Sequence, residues 1–563
     1  MPEREMGMPN GFDESADVVV LGSGAAGCAA ALTAGQSGLE VVQLEKTMVL
    51  GGTTAHSYGF IWVPDTGEAG ASAAGEALKD AVRYLRFVSA GGVSEDEARH
   101  YCTQVVEALD FLARNGVEFE PLPDVPDHYH PSAPGSRGGG RIIAAALFDA
   151  HRLGELQPAL GVSKYVPCGL TWTEVAARGG LGSPEAWNSS LWPDGRSEGD
   201  YRGFGMSLAG FLVRSALDNG VDLRLGHQAT RLIVQDGRVA GCEVAVSSGG
   251  EPRLVTIGAR RGVVIATGGI EGNPDLVLRF EDLPDWQSHF PEGVTGDGMV
   301  MATEVGAGLR RNPNNLRPMM GYRVPPHDGA PAVFRGAGIE EMAAPRTVVV
   351  NRLGLRFSDE SRFQHVVNAV REFDVARHEH RNYPCYLLMD SEFFNGASFA
   401  GRPHGAAPPD WLTRGDDLVG LADRLGIDAQ GLAEELAQFN ADAHEGVDHR
   451  FDRGTAPFSR ILGRRSSAAN PNLGPLETPP FFGLPLVPTG IASTTLSTDS
   501  YGRVLTMRGQ PVDGLYACGN AAPNIDRGPG YQAGVSLGQG IATGCAIGWG
   551  LAQEAPVDGV DNR

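Results

Sequence analysis

The chain has 563 residues, of which 42% are hydrophobic and 20% charged, a composition typical of a globular protein with more than one domain. Its formal net charge of −22 argues against nucleic acid and anionic membrane surfaces as partners. No stretch reaches the roughly 18 uninterrupted apolar residues of a membrane span, and the first residues lack an apolar signal core. We therefore predict a cytoplasmic protein without an integral membrane segment.

The first predicted element is a buried strand at residues 17–21, followed by the turn GSGAAG, an alanine-rich helix and a second strand that ends at Glu45. Gly22, Gly24 and Gly27 have the G-x-G-x-x-G spacing. In this spacing the first glycine permits a tight turn, the second lets the backbone approach a pyrophosphate, and the third lets helix and strand pack closely. Glu45 can accept hydrogen bonds from a ribose. This order favours a dinucleotide site over a merely structural turn.

The segments that follow favour FAD over a nicotinamide dinucleotide. EKTMVLGGTTAHSYGFIWVP continues from Glu45 with a glycine pair, in a spacing that resembles FAD enzymes. Residues 263–269 (VVIATGG) look like a strand and turn that return to the dinucleotide-binding fold, and residues 514–520 (GLYACGN) like the strand that leads to the flavin. Residues 534–544 begin a glycine-rich helix, which serves either close helix packing or stabilisation of negative charge near the flavin.

We therefore predict FAD as the cofactor, bound non-covalently. His56 raises the alternative of a covalent flavin, but its offset from Gly59 does not match that of covalent flavoproteins. The predicted cofactor-binding residues are Gly22, Gly24, Ala25, Ala26, Gly27, Glu45, Lys46, Gly51, Gly52, Thr53, Thr54, Ala266, Thr267, Gly268, Gly519, Asn520, Ser536 and Leu537. The seven cysteines are scattered and never spaced as C-x-x-C, so we predict no metal site and no disulfide framework.

Between these segments the pattern predicts further helices and strands. Helical periodicity covers residues 75–88 and 94–115, with Ser94 and Glu97 as a capping box. Residues 121–141 are predicted as a loop, residues 206–219 as a helix, and residues 221–246 as strands with a hairpin turn at Asp-Gly.

The composition then indicates where the chain changes domain. Residues 273–479 are rich in loops, proline, arginine and aromatic residues, and residues 484–551 return to strand, turn and helix. The predicted fold class is α/β, with a discontinuous Rossmann-like FAD-binding domain at residues 1–295 and 480–563. An α+β substrate-binding cap is predicted as an insertion at residues 296–479.

Five segments carry a family resemblance: residues 51–64 (GGTTAHSYGFIWVP), 127–140 (DHYHPSAPGSRGGG), 296–298 (GDG), 351–360 (NRLGLRFSDE) and 439–454 (FNADAHEGVDHRFDRG). Together they resemble the flavin-dependent 3-ketosteroid dehydrogenases of the fumarate reductase/succinate dehydrogenase flavoprotein superfamily. The resemblance implies desaturation of a ring ketone, most simply a 3-ketosteroid, with an unidentified electron acceptor. In enzymes of that family a tyrosine-derived base takes one proton and flavin N5 takes a hydride, while a tyrosine hydroxyl and a backbone N–H polarise the ketone oxygen. The resemblance implies the same roles here.

The same resemblance implies catalytic residues. The 1,2-desaturating enzymes carry YPGPG, with the tyrosine first, whereas Tyr531 follows GPG in GPGYQAG. Its placement resembles the Y-x-S-G of the 4,5-desaturating branch, with Ala533 in place of the serine. This implies Tyr531 as the group that polarises the ketone, with a packing role as the alternative, and Gly534 as the backbone donor. Tyr129 falls on the tyrosine of the family's DYxP loop, with a half-buried loop position as the alternative.

One expected tyrosine is missing. Shortly after the RFVNE-like segment, where these enzymes carry a tyrosine, the chain has Phe363 and Gln364. Tyr322 is the nearest candidate for its proton-transfer role, although a core position explains this residue as well. The changed tyrosine set leaves a smaller cyclic ketone open as the substrate.

Two other functions remain open from the sequence. The first is a fumarate-reductase-like reductase of an unsaturated carboxylic acid, for which Arg362 lies near the expected arginine position. The HHT-like substrate segment of those enzymes is absent, and residues 488–495 (PTGIASTT) stand in its place. The second is a catalytically silent FAD-binding module or electron-carrier subunit.

Overall fold

The computed structural model describes most of the chain. The described residues are 11–67, 74–181, 183–193, 196, 199–247, 253–281, 283, 285–311, 318–326, 332–336, 339–396, 399–400, 402, 405–463, 469–491, 493–525 and 530–555.

The strands, in chain order, are β1 (Glu14–Leu21), β2 (Val41–Glu45), β3 (Ile61–Trp62), β4 (Phe119–Leu122), β5 (Ile142–Ala145), β6 (Phe148–Asp149), β7 (Tyr201–Arg202), β8 (Asp222–Leu225), β9 (His227–Gln235), β10 (Arg238–Val246), β11 (Arg253–Ile265), β12 (Leu309–Arg311), β13 (Pro318–Val324), β14 (Val333–Gly336), β15 (Thr347–Asn351), β16 (Phe373–Asp374), β17 (Glu379–His380), β18 (Cys385–Asp390), β19 (Thr413–Gly415), β20 (Phe481–Gly490), β21 (Thr494–Leu496), β22 (Arg503–Leu505) and β23 (Pro511–Ala517).

The α-helices, in chain order, are α1 (Ala25–Gln36), α2 (Gly52–His56), α3 (Ala74–Val88), α4 (Glu95–Arg114), α5 (Trp172–Ala177), α6 (Pro184–Trp187), α7 (Phe204–Asp218), α8 (Pro274–Phe280), α9 (Asp297–Glu304), α10 (Ile339–Ala343), α11 (Phe363–Val370), α12 (Ser391–Gly396), α13 (Leu418–Leu425), α14 (Ala429–Glu445), α15 (Pro457–Leu462) and α16 (Val535–Gln553). No helix within the described ranges combines the length and apolarity needed to cross a membrane.

The first large sheet brings together strands that are far apart in sequence. Its strand order is β22-β23-β11-β1-β2-β8, with the β9–β10 hairpin added to β11. The pairs β23–β11, β11–β1, β1–β2 and β2–β8 are parallel. β1 is central because its residues from Val18 to Leu21 are buried on both faces, as a parallel strand requires. The predicted α/β fold with a discontinuous dinucleotide-binding domain is confirmed.

Helices α1 and α16 cover one face of this sheet and pack closely on each other. A methyl group on Gly544 of α16 would lie 2.4 Å from the carbonyl oxygen of Ala26 in α1, so the contact requires glycine. The glycine-rich helix therefore does serve close packing along its length. Gly534, the residue just before α16, packs instead against β3.

The second large sheet belongs to the inserted segment and is antiparallel. Its order is β14-β13-β20-β18-β15, with β19 paired to β20. Two apolar clusters lie against it, one around Tyr322 and Phe399 and the other around Leu432 and Phe439. The domain limits stay a prediction, but β20 pairs with β18 and β13. We therefore propose that the cap extends to the end of β20 rather than to residue 479.

The hairpin turn and the helix cap that local sequence signals predict are both present in the structure. Asp236 and Gly237 have φ angles of 49° and 79°, the left-handed pair that a two-residue hairpin turn between β9 and β10 requires. Ser94 and Glu97 form the capping box of α4. Residues 273–479 contain helices α8–α15 and strands β12–β19, which confirms the predicted α+β character of the cap, although their composition is typical of loops.

Candidate active site

The turn after β1 has the geometry that its three glycines predict. Gly22 has a φ of +110°, and an added methyl group would lie 2.4 Å from the oxygen of Ala266, the residue after β11. A methyl group on Gly27 would lie 2.3 Å from the oxygen of Gly22, so the start of α1 can approach β1 only with glycine there. At Gly24, the nearest atom, Thr54 Oγ1, would be at an ordinary 3.8 Å. Gly24 therefore meets no close protein neighbour and leaves room for a ligand at the helix N-terminus.

A cavity of about 2090 Å³ lies between this turn and the cap. It exceeds the roughly 300–1,000 Å³ of a typical single-ligand pocket, so it has room for a cofactor and a second molecule. The predicted cofactor-binding residues that line it are Gly22, Gly24, Ala25, Ala26, Glu45, Lys46, Gly52, Thr53, Thr54, Ala266, Thr267, Gly268, Gly519, Asn520, Ser536 and Leu537. Gly27 and Gly51 lie behind this surface, where Gly51 has a φ of +96° and precedes α2.

The acidic end of β2 is held in place by its neighbours. Glu45 Oε2 accepts hydrogen bonds from the backbone N–H and hydroxyl of Ser23, at 3.2 and 2.7 Å. Its other oxygen accepts from the backbone N–H and hydroxyl of Thr47, at 3.0 and 2.9 Å. These four hydrogen bonds occupy the acceptor sites of the carboxylate, so a ribose hydroxyl would bind Glu45 by replacing one of the two hydroxyl donors, which can rotate away.

Lys46 lies in an ion pair at the cavity wall. Its Nζ is 2.9 Å from Asp297 Oδ2 and donates to Thr295 Oγ1 at 2.6 Å. Burial raises the pKa of Asp297, but hydrogen bonds from Thr295 and Lys46 outweigh it and hold the pKa below its ordinary value. The GDG segment at the start of α9 thus fixes Lys46, a partner that the sequence pattern did not reveal.

Two buried hydroxyl groups on the cavity wall fit a polar cofactor. Thr267 Oγ1 and Ser536 Oγ are buried without a hydrogen-bond partner among the residues that the structure describes. Orphaned buried hydroxyls are uncommon in native proteins, and a ligand rich in acceptors and donors would satisfy them. Together with the open surface at Gly24, they show that the residues present fit FAD.

The N-terminus of α16 meets the cavity at Gly534. This glycine has a φ of +90° and lies against β3, where an added methyl group would be 2.6 Å from the Trp62 nitrogen. Within the described part of the chain, the Gly534 N–H donates to no backbone or side-chain acceptor. It is therefore available to an acceptor in the cavity.

We expect Gly534→Ala to lose bound FAD. The methyl group would overlap β3, and the backbone would hold an L side chain in the left-handed region, which together cost about 2–5 kcal/mol. The ratio of flavin to protein absorbance after gel filtration measures the loss. Gly550→Ala is the matched control in the same helix, because its methyl group would meet nothing within 4 Å. Full FAD content in Gly534→Ala would show that FAD binding does not depend on the close approach of Gly534 to β3.

Tyr531 lines the cavity and packs against the cap. Its ring centroid lies 5.8 Å from that of Phe363 and 5.4 Å from that of His128. Phe363, which stands near the expected tyrosine position, thus lines the cavity beside Tyr531 without a hydroxyl group. Gln364 turns away and bonds His128, with 2.8 Å between Gln364 Nε2 and His128 Nδ1.

Tyr129 does not line the main cavity but supports Tyr531. Its hydroxyl oxygen accepts a hydrogen bond from the Tyr531 backbone N–H at 3.1 Å. The neighbouring Gln532 Oε1 accepts from the Tyr84 hydroxyl at 2.5 Å and from the His128 N–H at 2.9 Å. These contacts fasten the loop of residues 121–141 to the segment before α16. A direct catalytic role of Tyr129 stays a prediction.

His128 is one of the residues that sequence reasoning missed, although it lies in the quoted DHYHP segment. Burial, with a smaller contribution from the charge of Arg362, lowers the pKa of His128 to about 3. Its ring centroid is 3.7 Å from that of Phe458 in the cap. His128 is therefore a neutral residue that joins the loop to the cap.

Tyr322 is buried in the cap wall and lines the cavity. Its hydroxyl donates to Glu341 Oε1 at 3.0 Å, and its ring stacks on Phe399 with centroids 5.5 Å apart. Arg335 is its directly paired residue on β14 and also lines the cavity. Sequence reasoning missed Glu341 and Arg335, because neither lies in a recognisable motif.

His56 lies at the end of α2 and lines the cavity, so the structure does place an imidazole near the cofactor site. Burial, followed by the charge of Lys164, lowers the pKa of His56. Non-covalent attachment of the flavin stays a prediction.

Known proteins are similar to this chain in sequence and in fold. Residues 17–537 match the family model described as an FAD binding domain. The 3-oxosteroid 1-dehydrogenase of Mycobacterium tuberculosis is 32% identical over 555 residues, which cover 92% of this chain and 96% of the relative. The 4-oxocyclohexanecarboxylate 2-dehydrogenase of Sinomonas cyclohexanicum is 31% identical, covering 96% and 93%. The crystal structure of 3-ketosteroid delta1-dehydrogenase from Sterolibacterium denitrificans, in complex with 1,4-androstadiene-3,17-dione, is 27% identical with a TM-score of 0.83, covering 96% and 99%.

The nucleotide-binding turn, the orphaned hydroxyls and the second sheet over one cavity fit an FAD-dependent oxidoreductase. The match to the dehydrogenases puts the chain in the class that acts on CH–CH groups. The chain belongs to the FAD binding domain family and, within it, to the 3-ketosteroid dehydrogenases. The predicted family, cofactor and enzyme class are confirmed.

Proposed function

We propose that this protein introduces a carbon–carbon double bond next to the carbonyl group of a cyclic ketone, with 3-ketosteroids as the leading substrate class. The observation that carries the proposal is the position of Tyr531 and Gly534. Both line the cavity at the start of α16, between the predicted FAD-binding residues and the cap. The names of the two curated relatives, which are dehydrogenases of ring ketones, support the same reaction class.

The chain's own residues can polarise the ketone. The Tyr531 hydroxyl and the Gly534 N–H are two donors, three residues apart in sequence, that can hold one carbonyl oxygen. Negative charge develops on that oxygen as the neighbouring carbon loses its proton, and fixed donors stabilise it there. FAD, when bound, would be the oxidant that accepts the hydride.

The proton needs an acceptor other than Phe363, which has no ionisable group. We propose Tyr322, because it lines the cavity and already donates to Glu341 at 3.0 Å. In this relay the substrate C–H proton passes to the Tyr322 oxygen while the Tyr322 proton passes to the Glu341 carboxylate, so charge is conserved. Tyr322 and Glu341 together therefore act as the general base, in place of a single tyrosine.

The second candidate is a reductase of an unsaturated carboxylic acid. Arg362, the arginine expected for it, does not line the main cavity and lies 3.8 Å from Asp359 in the cap. It cannot clamp a carboxylate beside the flavin from there. The desaturase is therefore the better supported function.

An anaerobic titration separates the candidates. A desaturase predicts that 3-ketosteroids or cyclohexanones bleach the visible absorbance of the oxidised flavin. A reductase predicts instead that fumarate-like acids reoxidise prereduced enzyme, and that outcome, with no bleaching by any ketone, would overturn the proposal. An FAD-loaded protein that shows neither reaction, even with an artificial acceptor dye, would be a silent binding module.

The electron acceptor is unidentified, and a cytoplasmic location stays a proposal from the sequence.

A further inference from the structure

Two arginines line the cap side of the cavity, and no ion pair is seen for them in the part of the chain that the structure describes. Arg335 and Arg402 both line the cavity and are partly buried. Within the described ranges, neither guanidinium lies within ion-pair distance of a carboxylate. Arg141 and Arg356, by contrast, pair with acidic residues at 2.7–2.8 Å.

The fold brings these two arginines to the same patch. Arg335 is directly opposite Tyr322 in the antiparallel β13–β14 pair, so both side chains lie on one face of the sheet. Arg402 exchanges two backbone hydrogen bonds with Phe399, at 2.8 and 3.0 Å. The rings of Phe399 and Tyr322 stack with centroids 5.5 Å apart, so each arginine is the β-bridge partner of one ring of the same aromatic pair.

This patch lies in the same apolar cluster as the proposed ketone site. Tyr531 packs against the cluster that contains Tyr322, Phe363 and Phe399. A ring bound with its ketone oxygen at Tyr531 would therefore rest on aromatic residues and extend towards the two arginines. The flavin phosphates are not the anion in question, since their predicted site is the N-terminus of α1, on the other sheet.

The charge balance also indicates an anionic ligand. A guanidinium that is partly withdrawn from water without a counter-charge is unfavourable, and a bound anion removes that cost. The chain as a whole carries a net charge of −22, which repels anions unless the cavity itself is cationic. Glu341, the acidic neighbour in this patch, accepts the hydrogen bond of Tyr322.

We propose that Arg335 and Arg402 bind a carboxylate group carried by the ketone substrate, at the end of the molecule away from the reacting ketone. The inference depends on the proposed ketone desaturation and narrows its substrate class to keto acids. The acid can be attached to a single ring or to a steroid skeleton, since both offer the same carboxylate to the two guanidinium groups.

Calorimetric titration of the FAD-loaded enzyme with matched acids and esters tests this directly. The ligands are 4-oxocyclohexanecarboxylate, 3-oxo-4-androstene-17β-carboxylate and the methyl ester of each. We expect the acid of the correct skeleton to bind at least about tenfold more tightly than its ester, because charged hydrogen bonds contribute that much. The skeleton that shows the difference identifies the ring system.

Arg335→Gln and Arg402→Gln should each weaken binding of the acid about tenfold or more. Neither substitution should change the affinity for the ester. Arg460→Gln is the matched control, because Arg460 also lines the cavity but its guanidinium bonds the carbonyl oxygens of Gly454 and Ala469. It should leave the preference for the acid intact. FAD content and melting temperature confirm that each variant is folded.

The proposal fails if acid and ester bind equally, if neither acid binds measurably, or if the preference for the acid survives in both variants. These results are distinct from failure of the proposed function. Bleaching of the flavin by the ester without any preference for the acid would sink the arginine site and keep the desaturase. Tight, arginine-dependent binding of an acid that never bleaches the flavin would support the arginine site and exclude the desaturase.

Discussion

Replacing Tyr531 by phenylalanine is expected to slow flavin reduction by the ketone about a hundredfold or more while FAD stays bound. The substitution removes one of two donors proposed for the ketone oxygen, and loss of one such donor typically costs two to three powers of ten in rate. The ring contacts with Phe363 and His128 remain, because phenylalanine keeps the aromatic ring. Stopped-flow measurement of flavin bleaching at saturating ketone gives the rate.

Two further variants sharpen this prediction. Tyr501→Phe is a control for removal of a hydroxyl, because Tyr501 is 60% exposed and lies outside the cavity. Tyr129→Phe removes the acceptor for the Tyr531 backbone N–H and should lower the rate less than Tyr531→Phe, since it acts through the position of the backbone. A Tyr531→Phe enzyme with the native rate would exclude its hydroxyl from the chemistry.

Replacing Glu360 by alanine is expected to lower the free energy of unfolding of the cap by about 3–5 kcal/mol. Glu360 bonds two arginines at once, Arg356 at 2.8–3.0 Å and Arg453 at 2.8 Å, and all three side chains are at most 1% exposed. Arg356 also bonds Asp448 Oδ2 at 2.7 Å. Without Glu360, buried Arg453 loses its carboxylate partner and Arg356 one of two.

Urea titration followed by tryptophan fluorescence measures the effect of this substitution. Glu445→Ala is the matched control, because Glu445 pairs with His449 on the surface, where a single ion pair contributes little. We expect its unfolding midpoint to stay at the native value. Equal midpoints for Glu360→Ala and the native protein would show that the remaining contacts of the two arginines suffice.

The same network shows what two of the family motifs do. Arg356 and Glu360 come from NRLGLRFSDE, and Asp448 and Arg453 come from FNADAHEGVDHRFDRG. Burial raises the pKa of Asp448, but hydrogen bonds from Arg356 outweigh it and leave the pKa below its ordinary value. Arg453 also donates to the oxygens of Thr347, Met342 and Ala344. These two motifs hold the cap together and do not line the cavity with their charged residues.

Much of the cofactor half was predictable because its signals are local. The turn at Gly22, the hairpin at Asp236 and the capping box at Ser94 each depend on a few consecutive residues whose backbone angles or hydrogen bonds are fixed by their own chemistry. The order of strand, glycine turn, helix and acidic residue is likewise contiguous. Periodicity and spacing therefore sufficed to predict the FAD-binding fold.

The cap was less accessible, because its sheet is made by long-range antiparallel pairing. β20 lies between β13 and β18, although almost a hundred residues separate it from β18 in sequence. Short strands with many prolines and arginines look like loops until their partners are known. For this reason composition underestimated the ordered structure of residues 273–479.

The sequence by itself determined the cofactor, the α/β class and the family, since each follows from contiguous motifs. Only the tertiary structure decided which reactive residues are neighbours. Tyr129 and Phe363 contact Tyr531, Glu341 accepts the hydrogen bond of Tyr322, and Arg335 and Arg402 line the same cavity. Such neighbours come from segments up to 402 residues apart. Their distance in space depends on how the two sheets close over one cavity, and no local pattern of residue types encodes that closure.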